Sequence, residues 1–81
     1  MDEMESTSDE CLVRKAQAGD GQAFGVLVDR YMRAAYAVSL SVTGLHDDAE
    51  DAAQEAFMVA LERLDDCRTP DRFAGWLMTI V

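Results

Sequence analysis

Apolar residues recur along this chain at steps of three and four, a rhythm that predicts helices joined by short turns. Thr7 with Glu10 reads as a capping box opening a short helix through Leu12, Val13 and Ala16. Gly19 is placed to stop that helix as a left-handed residue, and Asp20 to cap the next. The second helix sets Phe24, Leu27, Tyr31, Ala35, Val38 and Val42 on one face, with Asp29, Arg30 and Arg33 largely away from it. Gly44 is its C-terminal punctuation. A third helix follows, with Asp47 and Glu50 as an acidic capping box and Asp48 and Asp51 suiting the positive end of its dipole. Ala49, Ala52, Ala53, Ala56, Phe57, Ala60, Leu61 and Leu64 form one seam along it, small enough for a neighbouring helix to come close. Asp65-Asp66-Cys67-Arg68 reads as a loop, and Thr69-Pro70 restarts a helix whose buried face is Phe73, Trp76, Leu77 and Ile80. The expectation is an all-α fold, a compact bundle of three to four helices.

Eighty-one residues predict a single small core, here over residues 8–81, after an acidic disordered lead-in at residues 1–7. Thr79-Ile80-Val81 carries neither a capping glycine nor a basic last turn, so the last helix is expected to be cut in mid-course, the chain being a piece of a longer protein. Every apolar run falls far short of the roughly 20 residues needed to span a bilayer. The N-terminus is acidic and polar, unlike a secretory signal, so a soluble cytoplasmic protein without membrane insertion is expected. Cys11 and Cys67 stand far apart, and His46 is the only histidine, so no disulfide framework, metal site or cofactor is expected. Sixteen acids against seven bases give a net charge of −9. That is the wrong sign for binding duplex DNA unaided, and it suits a basic partner surface.

Opposite the alanine seam, the third helix carries Asp51, Gln54, Glu55, Met58 and Glu62 within about 100° of one another, at 3.6 residues per turn. A solvated face with helpful N-terminal acids is one reading, and it accounts for Asp47, Asp48 and Glu50. It accounts less well for Glu62, late in the helix where the dipole disfavours an acid, and for Met58, an apolar group on a polar stripe. Carboxylates, an amide and a methionine on one face also suit docking against a basic helix.

Three ordered motifs extend the reading. Gly19-Asp20, Ala23-Phe24, Leu27 and Tyr31 resemble the opening GD-x-x-AF-x-x-L-x-x-x-Y pattern of extracytoplasmic-function sigma factors, members of the sigma-70 family. Asp48-Ala49-Glu50-Asp51-Ala52-Ala53-Gln54-Glu55-Ala56-Phe57 resembles their DAED-x-x-QE-x-F signature, and Phe73-Ala74-Gly75-Trp76-Leu77 their F-x-x-WL. The resemblance implies a region 2 domain, a transcription initiation module that binds RNA polymerase core and helps recognise and melt the −10 promoter element. It implies that Asp51, Gln54 and Glu55 meet the clamp helices of the polymerase β′ subunit, and the stripe adds Met58. It also implies that the loop at residues 65–69 captures an unstacked base of the −10 element, with Asp65, Asp66, Arg68 and Arg72 as candidate DNA contacts. An ordinary solvated turn is the plain alternative for each of them. The resemblance leaves room for an anti-sigma factor as a further partner. The family's pattern continues with an asparagine, an arginine-rich helix facing the melted strand and a second domain reading the −35 element, and this chain ends before them at Val81. What it keeps is chiefly the polymerase-binding half, in keeping with its acidity.

Trp76 could stack a base, but its spacing with Phe73, Leu77 and Ile80 favours the core. An enzyme is the poorest fit, since there is no nucleophile–base pair and no glycine-rich phosphate loop. The competing reading is an acidic helical interaction module or DNA mimic that binds a basic partner without reading promoters. A mimic would spread its acids over several faces, whereas the late acids here gather on one stripe. A helix-turn-helix regulator would need a basic recognition helix, which is missing.

Overall fold

The structure, a computed structural model, describes residues 7–81; apart from Thr7, the expected acidic lead-in lies outside them. Four α-helices order the described residues: α1 (Asp9–Gln17), α2 (Gly21–Thr43), α3 (His46–Glu62) and α4 (Phe73–Ile80). Two 3₁₀ turns, Leu64–Asp66 and Pro70–Arg72, join α3 to α4. The all-α expectation holds.

The turns at Gly19 and Gly44 are where backbone chemistry decides the path. Gly19 has φ 105°; its N–H donates to Ala16 O at 3.0 Å, and Asp20 N–H donates to Lys15 O at 3.0 Å. That pair of bonds is a Schellman closure, which satisfies two carbonyls that α1 would otherwise leave open. Asp20 then starts α2 at once, its carboxylate accepting from the N–H groups of Gln22 and Ala23 at 3.0 and 3.2 Å. Gly44, at φ 72°, sends its N–H to Leu40 O at 2.8 Å. With only Gly44 and Leu45 between them, α2 and α3 must turn back on each other as a hairpin, and they form the most extensive helix pair of the bundle.

Two expected caps are displaced. Ser8, one residue beyond Thr7, caps α1 by accepting from Cys11 N–H at 3.2 Å. At α3 the helix opens at His46 rather than after Asp47, and no side chain caps it. Thr43 ties the connection instead, its hydroxyl donating to Leu45 O at 3.2 Å and accepting from Leu45 N–H at 3.3 Å. The two-residue turn leaves no room for a later start, so Asp47 and Asp48 fall inside the first turn, where their charges still favour the dipole. Thr69 likewise makes no side-chain cap; Pro70 opens a 3₁₀ turn, and α4 begins only at Phe73.

The alanine seam is buried largely as its spacing predicts. Ala49, Ala53, Ala56, Phe57, Ala60 and Leu64 are all in the core with Leu12, Val13, Ala23, Phe24, Leu27, Ala35, Cys67, Phe73 and Leu77. Leu61 departs from it: at the seam's edge it is 53% exposed. The second departure is on α2. Val38 is 39% and Val42 81% exposed, while Ser39 is 5% exposed in their place. The N-terminal half of α2 packs against both α1 and α3, but the nine-residue α1 cannot reach along all 23 residues. Past Ala35 the buried line steps to Ser39, a small side chain that suits a close helix crossing.

A polar cluster pins α1 to α2. The Tyr31 hydroxyl donates to Asp9, whose other carboxylate oxygen accepts from Arg30 at 2.9 Å. The Tyr31 ring lies 5.8 Å from that of Phe73. Burial, followed by the Asp9 hydrogen bond and charge, pushes the Tyr31 hydroxyl up to about 12, with Arg30 opposing.

Two outcomes are expected. Ala53→Leu, which forces a branched side chain into the α2–α3 contact, should destabilise the fold by about 1–3 kcal/mol in urea melts, while Met58→Leu on the outer face should stay within about 0.5. The second concerns alkaline pH. An unfolded tyrosine releases its proton near 10 and the folded Tyr31 only near 12. The folded state therefore holds the extra proton, and its contribution, fully present below pH 10, is lost as pH rises toward 12. Tyr31→Phe should flatten the fall in unfolding free energy across that window, and an unchanged slope would show that other groups govern it.

Candidate functional site

The outer face of α3 is built by exclusion. Because alanines take its inner side, everything at the opposite angle must face water, and Asp51, Gln54, Glu55, Met58 and Glu62 are all exposed. Met58 is 66% exposed, and Leu61, three residues on, adds a second apolar group at the flank of the stripe. The ion pairs Arg14–Glu10 and Arg30–Asp9 do not involve any carboxylate of α3. Gln54 donates to Glu50 at 3.5 Å, a marginal contact that leaves both accessible. Across the hairpin groove, Met32, Arg33 and Tyr36 of α2 face Glu50 and Gln54. The Tyr36 hydroxyl also meets Nδ1 of His46, and the two rings stack 6.2 Å apart.

The loop candidates sit at the other end of α3. Asp65, Asp66, Arg68 and Arg72 are all exposed, while Leu64, Cys67, Pro70 and Phe73 between and beside them are buried. Alternation of this kind follows from the two 3₁₀ turns, which drive every third or so side chain inward. Gln17, the last residue of α1, braces the segment: its side-chain amide donates to Leu64 O at 3.0 Å and to Cys67 O at 3.1 Å. Burial pushes the Cys67 thiol up, with a backbone hydrogen bond from Thr69 opposing and the charge of Asp71 adding to the rise. Cys11 and Cys67 are free thiols, and the described residues offer no cluster of three potential ligands for a metal ion.

A groove of about 580 Å³ connects the two candidate sets. Glu55, Ala52, Ala56, Val59 and Arg63 form its α3 wall, Asp66 closes one end, and Trp76, Thr79, Ile80 and Val81 form the opposite side. Trp76 is thus half-buried: its ring packs 5.9 Å from Phe73 and also faces this groove. Asp65 turns the other way, into a shallower groove with Gln17, Leu61 and Glu62. Asp51, Gln54 and Met58 line neither of these two grooves. Arg63 and Gln17 are the residues that sequence reasoning passed over. Arg63 follows the last turn of α3, outside the stripe's angle, and Gln17 shows no periodic signal at all.

No helix among the described residues is long and apolar enough to cross a membrane. The family model "Sigma-70 region 2" matches residues 27–81. The ECF RNA polymerase sigma-E factor of Escherichia coli is 40% identical over 77 residues, 94% of this chain and 39% of that protein. The RNA polymerase sigma factor NccH of Alcaligenes xylosoxydans xylosoxydans is 39% identical over 72 residues, 89% of this chain and 39% of that protein. The ECF RNA polymerase sigma factor BldN of Streptomyces coelicolor is 40% identical over 70 residues, 85% of this chain and 26% of that protein. The chain therefore spans less than half the length of these relatives, and no solved structure matches it. An all-helical hairpin bundle, the three ordered motifs and a family match over most of the chain agree: it belongs to the sigma-70 region 2 family, on the extracytoplasmic-function branch.

Proposed function

We propose that this chain is the part of a transcription initiation factor that docks on core RNA polymerase and contributes to recognition and melting of the −10 promoter element. The observation that carries the reading is the stripe Asp51, Gln54, Glu55 and Met58, exposed on the one face of α3 that the bundle does not use. Its carboxylates are free of intramolecular cations among the described ion pairs, so a basic partner helix would meet them without first breaking a bond. Met58 supplies an adaptable apolar centre within that polar surface. The partner is the β′ subunit of the polymerase, at its clamp helices.

In the same reading the loop at residues 65–69 takes up one unstacked base of the −10 element, with Arg68 and Arg72 as the local positive charge and Asp65 and Asp66 as acceptors. Exposed polar groups between buried anchors support it, because a pocket for a base needs accessible hydrogen-bonding groups on a backbone that does not move. Such a chain works in the cytoplasm, performs no catalysis and can be held by an anti-sigma factor.

Reversing the charge at Glu55→Lys or Asp51→Arg should weaken binding to core polymerase by tenfold or more, on the order of 1.4 kcal/mol for each such pair lost, with helical circular dichroism unchanged. Undiminished binding by both variants would remove α3 from the interface. Duplex DNA alone should bind negligibly, because a net charge of −9 displaces few condensed counterions. Fluorescence anisotropy at low salt checks this, and micromolar affinity for random duplex would contradict it.

A further inference from the structure

We infer that Gln17 is the positioning residue of the base-capture loop, a role resting on the reading of that loop given above. The Gln17 amide has two N–H groups, and its nitrogen lies 3.0 Å from Leu64 O and 3.1 Å from Cys67 O. Both acceptors are carbonyls, so only the nitrogen can face them; the opposite orientation would set oxygen against oxygen. The two carbonyls bracket the segment that projects Asp65 and Asp66 outward. Leu64 O also accepts from Cys67 N–H at 3.0 Å and Arg63 O from Asp66 N–H at 2.8 Å, so one side chain spans both ends of a turn that two backbone bonds close.

The brace comes from outside the loop. Gln17 ends α1, and the Schellman closure at Gly19 fixes the helix end that carries it, while the Tyr31–Asp9–Arg30 cluster holds the helix start against α2. The loop's geometry is therefore braced from α1, an element outside the loop itself. Asp65 stands in the same shallow groove as Gln17, so a change in the brace moves a candidate base contact directly. Cys67 reports on the brace: its side chain is buried beneath the turn, and releasing Cys67 O frees the residue to open.

The test uses Gln17→Glu, which matches the shape and replaces both donors with an acceptor, and Gln17→Leu, which keeps the bulk and removes them. Each is made in a Cys11→Ser background, so that Cys67 is the thiol read, and assembled with core RNA polymerase. Single-stranded −10 oligonucleotides carrying each of the four bases at the captured position are compared. The original chain should discriminate best from worst base by roughly tenfold, the scale of one stacked or pocketed base. In both variants the ratio should fall to within about twofold while polymerase affinity and circular dichroism stay level. The ratio matters because the added charge of Glu lowers affinity for all four bases alike. In parallel, alkylation of Cys67 under native conditions should quicken by about tenfold or more as the turn opens. A flat profile in the original chain overturns base capture, and the role of Gln17 with it. A preference that survives in both variants, or alkylation that does not change, overturns the role of Gln17 alone.

Discussion

The close approach of α2 and α3 is the constraint on which the rest of this molecule depends. A hairpin with two residues in its turn obliges the helices to run side by side, and α3 meets the obligation with Ala49, Ala53, Ala56 and Ala60 on its inner face. Alanine costs no side-chain entropy in a helix and adds little bulk, so the pair can sit near the lower limit of interhelical distance. The larger Phe57 and Leu64 join the core beside the alanines, and the small Ser39 of α2 is buried as well. A face made of alanine has a complement made of something else. The acids and the methionine on the far side are free to be chosen for a partner because nothing inside the fold asks anything of them.

Much of this was legible in the residues. Glycine before aspartate announced the break between α1 and α2, Gly44 announced the hairpin, and the alanine period announced which side of α3 would be dry. What escaped is instructive in kind. Thr7 and Asp47 are good capping residues, yet Ser8 caps α1, and α3 starts before Asp47 because the short turn after Gly44 sets where that helix begins. Val38, Val42 and Leu61 obey helical spacing yet lie exposed, because periodicity states which residues share a face and not how far along the helix a neighbour extends. The stripe on α3 could be read from the sequence because it lies on one helix. The brace between Gln17 and the carbonyls of Leu64 and Cys67 could not, since it joins a side chain to backbone atoms 47 and 50 residues away.

The molecule presents two kinds of surface. Along α3 the polar groups are spread over several turns and held by one helix, an arrangement suited to a broad contact with another helix. At the α3–α4 junction the polar groups alternate with buried anchors, so each exposed residue adjoins a core one in sequence. Glu55 and Asp66 meet in one groove with Arg63 and Trp76, which makes the two surfaces physical neighbours. A partner seated on the stripe would lie within reach of the junction.

The long separation of the Gln17 contacts also bears on how the chain reaches its fold. The α2–α3 hairpin joins residues adjacent in sequence and can form with little loop-closure entropy, as helical pairs with local contacts do. Docking the end of α1 onto Leu64 and Cys67 must wait until most of the chain has been ordered. By that order, the hairpin with its outward acids belongs to the early, cooperative unit, and the junction loop to the last step. A chain built this way can complete the hairpin and its outward face first, leaving the junction, held by contacts 47 and 50 residues apart, as the part whose closure comes last.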